Sequence, residues 1–412
     1  MRIDRFHMER TQSLYENEVE YNLSESGVQP LTVAELLGDA LDAAALGAIG
    51  LKYAESNGSA LLRERIATFY PGATRDNVLV TTGGSEANYT TLWGLLDADT
   101  RAAVMIPNYM QSWGLARAFG QRADPYRLVE RSGPEGRRWA LDIDSLERAV
   151  TRRTRVVFVT NPNNPTGAVL REDEMDAIVQ TARRANAWIV SDEVYRGAEV
   201  RTDVTTPSFW GRYGKVIVTA GLSKAFGLPG LRIGWIVGPA TTVAKLWSYQ
   251  DYTTLTPGIL SDRLARLAME PARRERILAR TRGIIRRNLP RVEAWIAGQG
   301  DLLDYVPPVA CAIALVKYHA PIGAVRLFKR LRLEHSVLIT PGAHFGLPGK
   351  YIRIGYGYDM DRTLAGLARI GQFFGEFRTS SASNSTARTG VRHFARSATL
   401  PSVKRPHVKE LV

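Results

Sequence analysis

The middle of the chain alternates short apolar runs with segments of helical periodicity. Six runs rich in Val and Ile lack polar alternation, which is typical of strands buried on both faces of a sheet. They lie at residues 77–82, 103–107, 155–160, 188–192, 215–220 and 233–238. Amphipathic patterns separate them, at residues 85–96, 143–150 and 172–185. Strand and helix in alternation predict an α/β fold with a mainly parallel central sheet covered by helices.

The last third of the chain has a different pattern, which predicts a second, smaller α+β unit. Helical patterns lie at 261–287, where Arg is frequent, and at 362–377, with strand patterns between them at 302–316, 337–339 and 351–355. Beyond residue 378 the composition turns to Ser and Thr and then to basic residues, so we predict a disordered tail. The expected division is an N-terminal segment at 1–45 that completes the small domain, a large domain at 46–285, the small domain at 286–378 and the basic tail at 379–412.

Composition limits the class of protein. With 45% hydrophobic and 23% charged residues among 412, the chain is typical of globular proteins. No apolar stretch approaches the roughly 20 residues that span a bilayer, and the charged N-terminus lacks the apolar core of a signal peptide. Cys311, the single cysteine, excludes an intrachain disulfide and a cysteine-rich metal site. We therefore expect a cytoplasmic protein with no metal site and no membrane partner.

The formal charge of +13 raises the question of a nucleic-acid partner. Most of this charge is local: residues 379–412 hold six Lys/Arg against one Glu, and residues 262–293 hold ten Arg against four acidic residues. Leu and Ile recur at helical spacing in the second stretch, which favours an amphipathic helix with a solvated basic face. We expect no specific nucleic-acid partner, while nonspecific binding of anions by the tail stays open.

Small or polar residues follow the predicted strands, at the edge of the sheet where ligands bind in α/β proteins. The TGGSE motif at 82–86 opens a helix, where backbone N–H groups either reach an anion or form a tight turn. The NPNNPTG motif at 161–167 is a rigid turn that can aim an Asn side chain at a ligand. Asp192 ends a buried strand and needs donors or a cation, from a ligand or from a structural salt bridge.

Three cations lie next to apolar segments. Lys224 follows the fifth run among small residues, where a lysine is either a solvated surface group or an amine with a lowered pKa that can form a Schiff base. Arg232 lies a short distance further on and is suited to a phosphate. Arg353 lies inside an apolar strand pattern, where a buried guanidinium needs a carboxylate from the protein or from a substrate.

Taken together, these motifs resemble the class I/II aminotransferases, fold type I enzymes that use pyridoxal 5′-phosphate (PLP). The resemblance covers about residues 21–378 and rests on four motifs in order: NPNNPTG (161–167), SDEVY (191–195), SKAFGLPGLRIG (223–234) and RIGYG (353–357). It implies the fold type I architecture, with a large domain around a mainly parallel sheet, a smaller α+β domain, and an N-terminal segment that covers the active site.

The resemblance implies the catalytic residues position by position. Lys224 would form the Schiff base with the cofactor and shuttle the proton at the substrate Cα. Asp192 would keep the pyridine nitrogen protonated. Asn164 and Tyr195 would hydrogen-bond the phenolic oxygen of the ring, and Tyr109 would stack on its face.

The same resemblance implies the contacts of the cofactor phosphate. Gly84 and Ser85 would donate backbone N–H groups to it, with Ser223 and Arg232 beside it. The chain departs from the family pattern at Gly221, where the family often has a serine whose hydroxyl contacts the phosphate.

Substrate contacts and a dimer are also implied. Arg353 would bind the substrate α-carboxylate together with Asn164, and Gly27 would cover it. Tyr53 would reach the cofactor phosphate of a neighbouring subunit, so that the active unit is a homodimer with shared active sites.

The implied reaction is transamination between an L-amino acid and a 2-oxo acid. Residues 21–28 (YNLSESGV) also resemble the capreomycidine synthases, which cyclise a hydroxylated arginine by elimination and ring closure. Glu25 would then meet a guanidinium; alternatively it caps or pairs locally. A third class, the PLP-fold transcription regulators, carries an added helix-turn-helix domain at the N-terminus. About 20 residues precede the matching region here, fewer than such a domain needs, so we expect an enzyme.

Overall fold

The computed structural model describes residues 3–38, 43–134 and 136–386. Its strands are β1 (Tyr21–Asn22), β2 (Val78–Thr81), β3 (Arg101–Ile106), β4 (Arg122–Gly133), β5 (Gly136–Leu141), β6 (Thr154–Thr160), β7 (Trp188–Asp192), β8 (Val216–Gly221), β9 (Gly234–Val237), β10 (Leu303–Tyr305), β11 (Ile313–Tyr318), β12 (Val337–Leu338), β13 (Thr340–Pro341) and β14 (Tyr351–Gly355). Its helices are α1 (His7–Tyr15), α2 (Val33–Leu37), α3 (Ala43–Gly47), α4 (Ala60–Ala67), α5 (Gly84–Leu95), α6 (Gln111–Phe119), α7 (Ile143–Ala149), α8 (Glu172–Arg184), α9 (Ala240–Gln250), α10 (Ile259–Ala268), α11 (Pro271–Gly298), α12 (Ala324–His335) and α13 (Met360–Thr386).

Eight strands form one large sheet in the order β2-β9-β8-β7-β6-β3-β4-β5. Neighbours pair in parallel from β8 through β7, β6 and β3 to β4. Strands β9 and β5 run in the direction opposite to that of the other six strands of this sheet. The prediction of an α/β fold with a mainly parallel sheet is confirmed. As a consequence, the carboxyl ends of β6, β7 and β8 meet at one edge.

The central strands are buried on both faces, which explains their unbroken apolar sequences. In β6, Val157 and Val159 pack into one hydrophobic core, whereas Val156 and Phe158 pack into another. Because side chains of a strand alternate between the two faces, a strand covered on both sides leaves no position for a solvated polar residue.

A second sheet has the order β10-β11-β14-β13, in which every neighbouring pair is antiparallel. The N-terminal segment packs with the C-terminal part of the chain, since β1 pairs in parallel with β12 in a separate two-stranded sheet. The chain after β1 then crosses the end of β14. A Cβ on Gly357 would lie 2.1 Å from the carbonyl oxygen of Gly27, so the late RIGYG motif needs glycine for this close crossing.

The Arg-rich pattern predicted as one helix forms two, α10 and α11. Pro271 begins α11, and Glu270 caps it by accepting hydrogen bonds from the N–H groups of Ala272 and Arg273 at 3.2 and 2.8 Å. Because proline lacks an N–H and restricts the residue before it, it suits the first turn of a helix and ends the preceding one. The strand pattern at 302–316 is likewise divided into β10 and β11.

The sequence patterns missed the hairpin of β4 and β5, which extends the edge of the large sheet. The sequence of β4, RADPYRLVERSG, is interrupted by Pro125 and by charged residues. Strand β4 pairs with β3 over residues 122–127 and with β5 over residues 128–133, so at each position one of its sides has no partner strand. Such a position tolerates both a proline and charged side chains.

Several arginines of α11 hold the helix to the rest of the chain instead of forming an open basic face. Arg282 pairs with Glu199 at 3.3 Å, and Arg286 and Arg280 donate to main-chain oxygens of residues 200 and 29 at 2.7 and 2.9 Å.

Helix α13 continues to Thr386, past the predicted start of the tail at 379, and the rest of that tail lies outside the described residues. In the described part of the chain, no helix has the length and apolar character needed to cross a membrane.

Candidate active site

The carboxyl ends of β6, β7 and β8 border a cavity of about 450 Å³. Nine of the predicted site residues line it: Gly84, Ser85, Tyr109, Asn164, Asp192, Tyr195, Ser223, Lys224 and Arg232. The N-terminal segment closes the cavity with Phe6, Met8, Glu9, Gln12 and Ser26. The sheet therefore gathers motifs that are far apart in sequence around one space. No cluster of three or more metal-ligating side chains occurs among the described residues.

Lys224 lies just after β8, beneath the N-terminal segment. A Cβ on Gly27 would lie 3.4 Å from the Ser223 carbonyl oxygen and 3.9 Å from Lys224 Cδ, so Gly27 packs directly against the lysine. Burial lowers the pKa of Lys224, while the charge of Glu25 acts in the opposite direction. An amine in this setting is neutral at a lower pH than a solvated lysine, and only the neutral amine is a nucleophile or a base.

Asp192 ends β7 with both carboxylate oxygens held in place. Asn88 donates to Oδ2 at 2.9 Å, and the N–H of Val194 donates to Oδ1 at 3.1 Å. Thr219 in turn donates to the Asn88 side-chain oxygen at 2.6 Å, which fixes the orientation of the amide. Burial raises the pKa of Asp192, and the two hydrogen bonds oppose that rise. Within the described residues no cation pairs with Asp192, so the structural salt bridge considered from the sequence is not found there.

Arg353 is fully buried in β14 and has no carboxylate partner among the residues described. Its guanidinium donates to Asn164 Oδ1 at 2.9 Å, to Thr340 Oγ1 at 3.3 Å and to the carbonyl oxygen of Ser24. Its carbon Cζ lies 5.0 Å from the centroid of the Phe345 ring, and its Nε has no hydrogen-bond acceptor. Burial lowers the pKa of Arg353. A buried guanidinium without a counter-ion is stabilised by an anion that reaches it.

The turn that carries Asn164 is held by its neighbours. Asn163 accepts a hydrogen bond from Thr166 Oγ1 at 2.7 Å and donates to the carbonyl oxygen of Pro107 at 3.1 Å. Asn164 itself is buried and faces the cavity. Its side-chain oxygen is taken by Arg353, which leaves the amide N–H groups for a ligand.

Tyr195 presents a buried hydroxyl to the same cavity. Ser26 lies beside it, but the hydroxyl has no hydrogen bond of good geometry to any described residue. Burial raises the pKa of Tyr195, so the hydroxyl keeps its proton and is a donor at neutral pH. An unsatisfied buried hydroxyl costs about 1–3 kcal/mol, which a ligand oxygen in the cavity would recover.

The start of α5 and Arg232 form a cradle for an anion. The first N–H groups of a helix have no acceptor within the helix. Gly83 precedes α5 with φ 86°, and a Cβ there would lie 2.4 Å from Arg232 Nη2, so the guanidinium lies against this turn. Arg232 donates to Ser223 Oγ at 3.4 Å and to the Pro229 carbonyl oxygen at 3.1 Å, and no described carboxylate pairs with it. A helix start beside such a guanidinium fits a phosphate group.

Gly221, the departure from the family pattern, lies where the backbone is crowded. A Cβ at this position would lie 3.0 Å from the carbonyl oxygen of Ile233 and 3.2 Å from Gly234 Cα. Little room is therefore left for a serine side chain in this chain.

Helix α1 covers the cavity above Tyr109. The Tyr109 hydroxyl donates to Glu9 Oε1 at 2.7 Å, and the ring of Phe6 meets the Tyr109 ring edge-on, with centroids 4.9 Å apart. Burial, and then the charge of Glu9, raise the pKa of Tyr109 well above its ordinary value. Gln12 donates to the Ser24 carbonyl oxygen at 3.2 Å, which ties the helix to the segment that crosses β14.

Asn88 and Glu9 are functional candidates that the sequence reasoning missed. Asn88 follows Ser85 by three residues and lies on the same face of α5, so helical spacing from the TGGSE motif was a usable signal. Glu9 gave no comparable signal, because its contact with Tyr109 joins residues 100 positions apart.

Three predicted site residues do not line the cavity: Arg353 and Gly27, which contact the lining residues Asn164 and Lys224, and Tyr53. The side chain of Tyr53 is 83% exposed. Its predicted contact with the phosphate of a neighbouring subunit, and the homodimer that follows from it, stay predictions.

A mainly parallel sheet, a smaller α+β unit and a lysine that shares one cavity with a strand-end carboxylate are the features of a PLP-dependent enzyme of fold type I. The chain belongs to the aminotransferase class I and II family, whose model matches residues 19–370. It is 31% identical to the capreomycidine synthase of Streptomyces vinaceus, over 86% of this chain and 90% of that one.

Two solved structures have closely similar folds. A PLP-dependent aminotransferase from Streptococcus suis 89-1591 superposes with a TM-score of 0.84 at 29% identity, over 92% of this chain and 99% of that one. The PLP-dependent cyclase OrfR superposes with a TM-score of 0.81 at 30% identity, over 91% and 98%. The family thus includes relatives named for transamination and relatives named for cyclisation.

The cofactor of the chain is PLP, as its family and its structural neighbours imply. The residues present fit this group. The unpaired hydroxyl of Tyr195, the carboxylate of Asp192 without a cation, and the cradle at Arg232 are matched by a phenolic oxygen, a ring nitrogen and a phosphate.

Proposed function

We propose that the chain is an aminotransferase that moves the amino group of an L-amino acid to a 2-oxo acid, with Lys224 as the residue that bonds the cofactor. One observation carries the proposal: a single cavity is lined by Lys224, whose amine has no partner among the described residues, by Asp192, and by Asn164, which Arg353 holds. The family match supports the same class of chemistry.

Each end of the cofactor has matching side chains. Asp192 would hold the ring nitrogen, since its carboxylate is buried, is oriented by hydrogen bonds and has no cationic partner among the described residues. Asn164 and Tyr195 would hold the phenolic oxygen, for which both have free donors. Arg232 and the first N–H groups of α5 would hold the phosphate.

When bound, PLP supplies an electron-accepting ring that weakens the bonds at the substrate Cα. Lys224 acts as the base at that carbon: burial lowers the pKa of its amine, so it accepts the Cα proton at a pH where a solvated lysine is already protonated. Arg353 binds the α-carboxylate and thereby fixes which bond of Cα faces Lys224. Helix α1 excludes water above the reacting carbon.

Carboxylates around the cavity favour a substrate with a cationic side chain. Glu9 lines the cavity, and the charges of Glu25 and Glu9 act on both Lys224 and Arg353. Burial raises the pKa of Glu16, and the charges of Glu25 and Glu9 raise it further. In the described part of the chain none of the three forms a salt bridge with a lysine or arginine. A cationic substrate group would relieve their mutual repulsion.

A second candidate is elimination and ring closure on a hydroxylated arginine. It is favoured by the same carboxylates, which suit a guanidinium, and by the 31% identity with a capreomycidine synthase. Both reactions begin with removal of the Cα proton, so Lys224, Asp192 and Arg353 keep the same roles in either.

Product analysis separates the two candidates. The PLP-loaded protein is incubated with 2-oxoglutarate and one of a panel of L-amino acids: arginine, hydroxylated arginine, ornithine, lysine, leucine and aspartate. Formation of a keto acid from a basic amino acid, detected by mass spectrometry, supports the aminotransferase. A cyclic amino acid formed with loss of water supports the second candidate, and no product from any member of the panel contradicts both.

A further inference from the structure

A groove of about 810 Å³ lies outside the active site, between the end of the β4–β5 hairpin and the chain that follows the NPNNPTG turn. Its third wall is formed by Arg201 and by Pro307 and Val309, which precede β11. The groove shares no lining residue with the active-site cavity. It is therefore a separate space, formed where the large and small sheets approach each other.

Arginine dominates the walls of this groove. Among the described residues no Asp or Glu lines it, whereas five arginines do: Arg131, Arg137, Arg138, Arg171 and Arg201. Arg137 and Arg138 are paired with carboxylates behind the wall. Arg137 pairs with Asp304 at 2.6 Å, and Arg138 pairs with Glu174 at 3.0 Å.

Neither Arg131 nor Arg201 has a carboxylate at salt-bridge distance in the described part of the chain, and both side chains are exposed. The register of the hairpin places Arg131 directly opposite Arg138, so two guanidinium groups lie on one face of the strand pair. Glu174 offsets the charge of Arg138, and an anion in the groove would offset that of Arg131.

The groove also has an apolar side. Val169 and Pro307 line it with partly exposed side chains, and Val309 is exposed. A simple inorganic ion would leave these three side chains in water, so the groove suits an anion with an organic body. Free guanidinium groups on two separate segments favour a phosphate, which has three oxygens and up to two charges to share between them.

We propose that this groove binds a phosphorylated small molecule, with Arg131 and Arg201 on its phosphate and Val169, Pro307 and Val309 against its organic body. The site is independent of the proposed reaction, since none of these residues contacts the active-site cavity.

Calorimetric titration of the PLP-loaded protein at 0.15 M salt tests the proposal. The probes are adenosine 5′-monophosphate, glucose 6-phosphate, glycerol 3-phosphate, inorganic phosphate and adenosine. Loading with PLP occupies the cradle at Arg232, so that the probes report on the groove. We expect at least one of the three organic phosphates to bind more tightly than both inorganic phosphate and adenosine.

Arginine variants assign the binding to the groove. Arg131→Gln and Arg201→Gln should each weaken it by about tenfold or more, the loss expected for a charge-assisted hydrogen bond. Arg287→Gln on α11 is the matched control, because Arg287 is also exposed and also lacks a carboxylate partner among the described residues. Transaminase activity without probe and circular dichroism should be unchanged in all three variants.

Three outcomes would overturn the proposal. The first is no binding of any organic phosphate at millimolar concentration. The second is equal losses in the Arg287→Gln control and in the groove variants, which would indicate general attraction to a basic surface. The third is inorganic phosphate binding as tightly as the organic phosphates, which would remove the role of the apolar wall.

Discussion

The guanidinium of Arg353 donates a hydrogen bond to the side-chain oxygen of Asn164 over 2.9 Å, which joins β14 of the small sheet to the turn after β6 of the large one. The two residues are 189 positions apart and belong to different sequence motifs. Because Arg353 has no carboxylate partner in the described part of the chain, Asn164 holds the guanidinium in position without neutralising it. This is the arrangement expected of a site that binds a substrate carboxylate.

Replacing Arg353 should therefore affect substrate binding more than cofactor binding. In Arg353→Lys we expect the KM for the amino donor to rise about 10- to 100-fold, since a bidentate charge-assisted contact is lost, while the affinity for PLP changes little. Steady-state kinetics and a PLP titration measure the two effects. Arg291→Lys, at an exposed pair with Asp361, is the control. An unchanged KM in a correctly folded Arg353→Lys protein would contradict the assigned role.

Asn88 positions Asp192, and its substitution should weaken the binding of PLP. In Asn88→Asp a second carboxylate replaces the amide that donates to Asp192 at 2.9 Å, so like charges would raise the pKa of Asp192 further. We expect about a tenfold weaker affinity for PLP and a shifted pH profile of the cofactor absorbance. Thr219→Val, which removes the donor to Asn88, should act in the same direction but less strongly. If Asn88 had a purely structural role, its substitution would lower the stability of the protein but would not shift the pH profile of the cofactor absorbance.

The stability of the cofactor-free protein should depend on Lys224 in a defined pH window. Burial lowers the pKa of Lys224 below its ordinary value of 10.5, so between the lowered pKa and 10.5 the unfolded chain binds more protons than the folded one. The contribution of this lysine to stability therefore rises with pH across that window. The Lys224→Met variant has no charged amine to bury, so this pH-dependent destabilisation is absent from it.

Thermal unfolding of the two cofactor-free proteins checks this linkage. We expect Lys224→Met to have the higher Tm at neutral pH, with a difference that narrows as the pH approaches 10.5. A difference that widens with pH, or a wild-type protein that is the more stable of the two at neutral pH, would contradict a lowered pKa.

Glu9 and Glu25 should determine the preference for a cationic side chain. Glu9→Gln and Glu25→Gln are each expected to raise the KM for basic amino donors about tenfold, with little change for leucine, because only the charge is removed. Glutamine at position 9 can still accept the hydrogen bond from Tyr109, which keeps α1 in place. Glu147→Gln, at an exposed pair with Arg184, serves as the control. Equal rises in KM for leucine and arginine would indicate a general effect on the cavity.

The parts of the molecule that the sequence predicted are those specified by local patterns. The positions of Asp192 and Lys224 follow from their place after fully apolar runs, since a parallel sheet covered by helices brings such residues to one edge. The central strands were recognised for the same reason, because burial on both faces leaves an unbroken apolar sequence.

The parts that the sequence did not predict depend on contacts between distant residues. Helix α1 has Met8 as its one buried residue, so it carries no clear amphipathic pattern, and it is placed by contacts such as Glu9 to Tyr109. The β4–β5 hairpin has polar residues at its exposed end. The division between α10 and α11 is an exception, because it depends on Pro271, a local signal in the sequence.

The most direct test of the account is to locate the lysine that holds PLP. The purified protein is loaded with PLP, reduced with borohydride to fix the cofactor, digested and analysed by peptide mass spectrometry. We predict a single cofactor adduct on Lys224, absent from Lys224→Ala while the fold is retained. An adduct on a different lysine, or no adduct on the loaded wild-type protein, would contradict the assignment of the cavity at the ends of β6, β7 and β8 as the active site.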